Sequence, residues 1–281
     1  MTAMRILVTN DDGIDSIGLH VLVRAMCALD GDHEVIVVAP DSEYSGAGAA
    51  VGALHLIQPE VHKAHIEDCS AAAVWSVSGP PALCVMFSRL GAFGEPFDLV
   101  VSGINPGANV GRAVYHSGTV GAAMTARNGR ISGVAVSQAV TGFGIEGQGW
   151  DEAIVKQHWE SAAEVAKTVV QALVDDLPAD PIVVNINVPD LPLSEIGSWR
   201  HAEVGMQPPR SMANATMEPI PGHEGAFSVK MSWGDPIELG PETDGGTVER
   251  NEVAISYLSR FFHDADDEFA PATAALDNLF R

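Results

Sequence analysis

The sequence predicts an α/β protein, a Rossmann-like three-layer sandwich with a mostly parallel sheet and a C-terminal β-hairpin and tail. Three observations predict it. Short β-rich runs alternate with helical stretches over the first 190 residues. Runs such as Val35-Ile36-Val37-Val38 are continuously apolar, as strands buried on both faces are. The loops after several of these runs gather Asp, Asn, Ser and Gly, which suits a ligand site at the carboxyl ends of strands.

The elements follow in order. Arg5-Ile6-Leu7-Val8-Thr9 is a short apolar run and the first strand. Further strands are expected at 34–39, 74–78, 97–102, 133–137 and 182–187. Helices are expected at 18–29, 81–90, 118–128 and 151–174. The last carries Ile154, Val155, Ala162, Val165, Ala166, Val169, Val170 and Leu173 close to helical spacing. Ser117 can cap the third helix, whose opening Gly118-Thr119-Val120-Gly121-Ala122-Ala123 is built of small residues. Composition shifts after Pro189-Asp190-Leu191-Pro192, and the segment to Pro241 is rich in Pro, Gly and Met. Residues 1–190 therefore read as a catalytic domain and 191–281 as an extension. That extension should hold a hairpin strand at 227–233, a strand at 253–258 and a helix near 270–280.

Composition sets bounds on function. The 281 residues are 46% hydrophobic, enough for a full core. Thirty-seven acidic against fifteen basic residues give a formal charge of −22, which disfavours a nucleic-acid polymer or an anionic membrane as partner. No apolar run reaches the length of a membrane span. The start of the chain lacks the plan of a secretory signal, so a cytoplasmic location is expected. Cys27, Cys69 and Cys84 form neither a zinc pattern nor an even disulfide framework.

Three loops carry the chemistry: Asn10-Asp11-Asp12-Gly13, the loop from Pro40 to Gly48, and Gly103-Ile104-Asn105-Pro106-Gly107-Ala108-Asn109-Val110-Gly111. In a parallel sheet all three emerge at one edge, so their polar groups converge. Asp11 and Asp12 offer carboxylates, Ser45 a hydroxyl and Asn105 an amide carbonyl. Such an all-oxygen set suits a hard divalent cation. Each also has a plainer reading: Asn, Asp and Gly favour turns, and Ser45 precedes a glycine in a loop. Neither a dinucleotide fingerprint nor a P-loop lysine motif is present. The N–H groups of Gly118 and Thr119, at the start of a helix, suit an anionic oxygen. Asn109 and Ser117 complete the candidate phosphate-binding set.

Together these segments resemble the SurE (survival protein E) family of 5′/3′-nucleotidases. The matching pieces are Asn10-Asp11-Asp12-Gly13, Ala39-Pro40-Asp41 with Ser45-Gly46, Ser102 through Gly111, Ser117 through Met124, and Asn185-Ile186-Asn187-Val188-Pro189. The resemblance implies a divalent metal, Mg²⁺ or Mn²⁺, one per subunit, held by Asp11, Asp12, Ser45 and Asn105. It implies hydrolysis of nucleoside 5′- and 3′-monophosphates, with Asp11 and Asp12 catalytic. It implies a homodimer or tetramer that exchanges the C-terminal hairpin and tail between subunits. The chain departs from the family pattern at Ser42-Glu43-Tyr44, where Asn and Arg are usual. It departs again at Pro80-Pro81-Ala82-Leu83-Cys84, which lacks a Thr and an Asp. The alternative reading is a catalytically weakened nucleotide- or metabolite-binding protein of the same fold.

Overall fold

The computed structural model describes residues 3–56, 58–140, 150–207, 212–260 and 270–280. Its elements run β1 (Arg5–Thr9), α1 (Ile17–Cys27), β2 (Glu34–Pro40), β3 (Val61–Lys63), β4 (Ala73–Val77), α2 (Pro81–Arg89), β5 (Leu99–Pro106), a 3₁₀ turn (Gly111–Tyr115), α3 (Gly118–Asn128) and β6 (Ser132–Gln138). They continue with α4 (Trp150–Val155), α5 (Trp159–Asp175), β7 (Val183–Val188), β8 (Trp199–His201), β9 (Met212–Pro219), β10 (Phe227–Trp233), α6 (Asp244–Glu249), β11 (Val253–Tyr257) and α7 (Ala270–Leu279).

Nine strands form one sheet in the order β3-β4-β2-β1-β5-β6-β7-β11-β8. From β4 to β7 every pairing is parallel. Alternation along β1 explains the layers. Ile6 and Val8 face a core shared with Leu19, Leu22 and Val23 of α1 and with Ala162, Ala166 and Val170 of α5. Leu7 faces the opposite core with Cys84 and Val85 of α2 and Ala122 and Ala126 of α3. Side chains alternate along a strand, so a continuous apolar run feeds both layers. The expected three-layer α/β sandwich is thus observed.

The chain leaves β1 toward β2 and β4 on one side, and β5, β6 and β7 follow on the other. The order therefore reverses between β1 and β5, the topological switch point at which open α/β sheets bind ligands. Thr9 pairs with Ser102 there, which brings the loops after β1 and at the end of β5 side by side.

Several elements differ from expectation. The single helix expected over 151–174 is two, α4 and α5. Polar bonds that periodicity cannot register hold the break: Gln157 Nε2 donates to the Ala139 carbonyl at 2.9 Å, and the His158 N–H donates to Asp190 Oδ1 at 2.9 Å. The strand expected over 97–102 begins at Leu99 and extends to Pro106, so Asn105 sits on the strand's end rather than in a free loop. The edge strands β3 and β8 have three residues each, too short for an alternation signal. Beyond residue 190, β11 pairs antiparallel with β7 and β8 pairs parallel with β11, both inside the main sheet. β9 and β10 form a separate antiparallel hairpin. The expected hairpin strand, the strand near 253–258 and the last helix are all present.

Candidate active site

The site grows from the turn after β1. Asn10, fully buried, donates from its amide to the Gly13 carbonyl at 2.9 Å and to Ser16 Oγ at 2.7 Å. Ser16 in turn caps α1 by accepting from the Leu19 N–H. The turn reading of this motif is therefore correct, and the turn is what aims the two aspartates. Gly13 takes a φ of +99° with its Cα against the Ser42 backbone, a conformation and a space that favour glycine.

Asp11 is buried and Asp12 half-buried. Thr119 Oγ1 donates to Asp11 Oδ1 in a short hydrogen bond and lies 3.3 Å from Asn105 Oδ1. The Thr119 backbone N–H, in the first turn of α3, also donates to Asp11. Gly118 lies so close that a Cβ there would sit 2.7 Å from the Asp11 carboxylate. Asn105 donates its amide N–H to the Gly107 carbonyl at 2.7 Å, which turns its oxygen toward the Thr119 hydroxyl that also bonds Asp11. Ser117 accepts from the Val120 N–H at 3.1 Å and so caps α3. An acidic side chain and a helix N-terminus thus meet at the switch point, a charge arrangement each favours.

The loop after β2 is stitched to this turn. The Tyr44 N–H donates to the Asp11 carbonyl at 2.7 Å. The next N–H, that of Ser45, donates to Glu43 Oε1 at 2.7 Å, and Ser45 itself is exposed. Farther along, the Gly48 N–H donates to the His116 carbonyl at 2.9 Å, which ties the loop to the start of α3.

Asn109 is a buried hub. Its backbone N–H donates to Asn187 Oδ1 at 2.7 Å, and its carbonyl accepts from Asn185 at 3.0 Å and from Asn187 at 3.2 Å. Its side chain donates to Ser137 Oγ at 2.8 Å. Sequence reasoning gave Asn185 and Asn187 no role. The signal was available: two fully buried asparagines stand two apart in an otherwise apolar strand, hence on one face. The Thr119 hydroxyl is equally silent in the sequence, because the carboxylate it bonds lies 108 positions away.

Electrostatics single out the aspartates. Burial pushes the Asp12 carboxyl up to about 9, and the negative charges of Asp11 and Glu43 add to the shift. Burial raises Asp11 as well; the Thr119 bonds oppose this and Glu43 reinforces it. Asp12 Oδ2 is buried without a hydrogen-bond partner. Two adjacent carboxylates and an orphaned oxygen, with an amide oxygen at the Thr119 hydroxyl that bonds one of them, are what a hard cation compensates. The residues present fit a divalent metal. Among the described residues no group of three His, Cys, Asp or Glu forms a separate metal cluster.

Cavities lie beside the core among the described residues. One of 360 Å³ adjoins the site, walled by Ser117 and Gly121 of the α3 end, by Ala49 of the loop after β2, and by Tyr115 and Tyr257. A larger one of 770 Å³ is apolar and lies between α5 and β11, with Val169, Leu173, Trp199 and Ile255 in its lining. Among the described residues no helix is long and apolar enough to cross a membrane.

Comparison with known proteins agrees with this geometry. A family model described as Survival protein SurE matches residues 6–210. The chain is 35% identical over 259 residues to a protein of Legionella pneumophila named 5′-nucleotidase SurE, covering 91% of this chain and 90% of that one. It is 42% identical over 191 residues to an Acinetobacter baumannii protein of the same name, covering 67% of each chain. The crystal structure of the SurE protein from Aquifex aeolicus superposes with a TM-score of 0.71 at 25% identity, covering 99% of this chain and all of that one. With a family match over most of its length and relatives this similar, the chain belongs to the SurE family.

Proposed function

We propose that the protein is a divalent-metal-dependent phosphomonoesterase that hydrolyses nucleoside 5′-monophosphates, and 3′-monophosphates, to nucleoside and phosphate. The observation that carries this reading is the meeting of Asp11, Asp12 and Asn105 with the N-terminus of α3 at the sheet's switch point. The names of the relatives, 5′-nucleotidase SurE, support the same activity.

Asp11, Asp12, Ser45 and Asn105 would hold one Mg²⁺ or Mn²⁺. The ion supplies positive charge that keeps both carboxylates ionised and offsets charge on the phosphoryl group. The Gly118 N–H binds a phosphoryl oxygen at the positive end of α3, whereas the Thr119 N–H, expected to do the same, is already given to Asp11. Ser117 fixes that helix end by capping it, and Asn109 fixes the loop beside it. Thr119 locks Asp11 in place. We assign Asp12 to take the proton of the attacking water; the P–O bond to the nucleoside breaks, and the leaving oxygen takes a proton from solvent. The 360 Å³ cavity beside Ser117 is the space we assign to the nucleoside.

The extension beyond residue 190 is proposed to be shared between subunits of a cytoplasmic homodimer or tetramer. Its apolar side chains support this: Met206, Met217, Val229 and Met231 are all more than half exposed in the single chain.

The test is phosphate release from AMP and from small phosphate esters, with chelator, Mg²⁺ or Mn²⁺. Turnover of AMP should require the ion, and Asp11→Asn should lower kcat at saturating metal by roughly 100-fold or more. Retained binding of AMP with no release under any ion would instead support the non-catalytic reading.

A further inference from the structure

Asp244 is a wholly buried carboxylate that no part of the proposed chemistry uses. It opens α6, in the segment after the hairpin. Its two oxygens accept from backbone N–H groups in three places. Oδ2 accepts from Gly111 at 2.9 Å, and Oδ1 accepts from Gly205 at 3.0 Å and from Gly245 at 2.8 Å. The Asp244 N–H donates to the Glu203 carbonyl at 2.8 Å.

The partners give this arrangement its meaning. Gly111 closes the loop that follows Asn105 at the end of β5 and carries Asn109, and it starts the 3₁₀ turn that delivers Ser117 to the head of α3. Gly205 lies on the segment that leads to the hairpin β9–β10. One carboxylate therefore fastens the phosphate-binding stretch and the root of the arm. Hydrogen bonds from backbone N–H groups to a buried charge are among the stronger ones, and leaving such a group unpaired is costly. The two segments cannot shift independently while both bonds hold.

We propose that Asp244 is a positioning residue for the phosphate-binding stretch, one that makes the geometry of Ser117–Thr119 depend on the root of the hairpin arm. The proposal rests on the reading of that stretch as the phosphate site. Asp244 touches neither substrate nor metal in this account; it acts through Gly111. Asn185 and Asn187 hold the same loop at Asn109 from the sheet side, so Asp244 supplies the second anchor, at the loop's far end.

The test uses the full chain. Asp244→Asn keeps the volume and one acceptor but presents an N–H to one of the glycine N–H groups. Hydrogen exchange should rise at least tenfold at both Gly111 and Gly205, with the strands β1, β5 and β6 unchanged. The KM for AMP should rise at least fivefold while kcat falls less than KM rises. Mn²⁺ affinity, measured by calorimetry without substrate, should stay within twofold. Gly205→Ala gives a second route: its Cβ would sit 3.2 Å from the Thr243 side chain and 3.3 Å from Asp244 Oδ1. It should raise the KM in the same direction by a smaller factor, though Gly205 is on the arm's side of the carboxylate.

Faster exchange at Gly205 alone, with unchanged KM in both variants, would show Asp244 to be an anchor of the arm only and overturn the proposal. A uniform rise in exchange with loss of Mn²⁺ affinity would overturn it as well, as a general fold defect. A wild-type protein that releases no phosphate from any ester would count against the nucleotidase reading instead; the exchange pattern would then still show whether the two segments are coupled.

Discussion

Asp12 is held at a cost. Its carboxyl is pushed up to about 9 from an ordinary value near 3.8, so the folded metal-free protein binds a proton there that the unfolded chain releases. An acid with a raised folded pKa contributes stability that is complete below the unfolded value and is lost as pH rises through the folded one. The melting temperature of chelator-treated protein should therefore fall between about pH 4 and pH 9. Asp12→Asn should fall less over that window, and Mn²⁺ should remove most of the difference; identical pH profiles for the two proteins would refute the account of Asp12. Glu43 works at the same scale. It raises both aspartates and is bonded to the Ser45 N–H. A charge there should disfavour multiply charged esters by on the order of 1 kcal/mol, a several-fold effect. In Glu43→Arg the affinity for a nucleoside triphosphate should rise relative to the monophosphate; an unchanged ratio would mark Glu43 as a solvated loop residue. Asp11, Asp12, Asn105 and Ser45 were legible as oxygen donors after strand candidates. Asn185, Asn187 and Asp244 were not, because their work is to hold backbone groups distant in sequence, and spacing carries no trace of that.

The elements were legible where one local rule sufficed. Both apolar strand faces appear in Val35-Ile36-Val37-Val38, and α3 shows its cap at Ser117 and its small residues in order. The departure at Pro80-Pro81 explains itself at this scale. Pro81 occupies the first position of α2, where proline's fixed φ suits a helix start, and the Ala82, Leu83 and Cys84 that follow are fully buried. The missing Thr and Asp thus leave the element whole. The break between α4 and α5 was invisible because bonds to β6 and Asp190 make it. The hairpin β9–β10 pairs over seven residue pairs, yet leaves Phe227, Val229 and Met231 at 51%, 61% and 59% exposure. Exposed apolar groups so closely spaced call for a partner surface. Sedimentation at micromolar concentration should give a dimer or tetramer, and deletion of residues 212–233 should shift it to a smaller species. A compact wild-type monomer would contradict the shared arm.

At the scale of the molecule, the fold explains why residues about 90 positions apart act together. The strand order reverses between β1 and β5, so the ends of those two strands open one crevice, and α3 aims its N-terminus into it. The class of fold was readable from alternation alone. The joining of β8 and β11 to the same sheet was not, since pairing across long separations is settled by packing rather than by local pattern. A surface charged at −22 carries the crevice, and a cation at the two aspartates is what lets an anionic ester approach. The most direct measurement of that claim is a crystal grown with Mn²⁺ and phosphate and read at the manganese absorption edge. The account predicts one anomalous peak per subunit, with oxygens of Asp11, Asp12, Ser45 and Asn105 within roughly 2.0–2.6 Å and phosphate at the Gly118 N–H. An ion bound elsewhere, with the two aspartates turned from it in a protein that hydrolyses AMP, would contradict it.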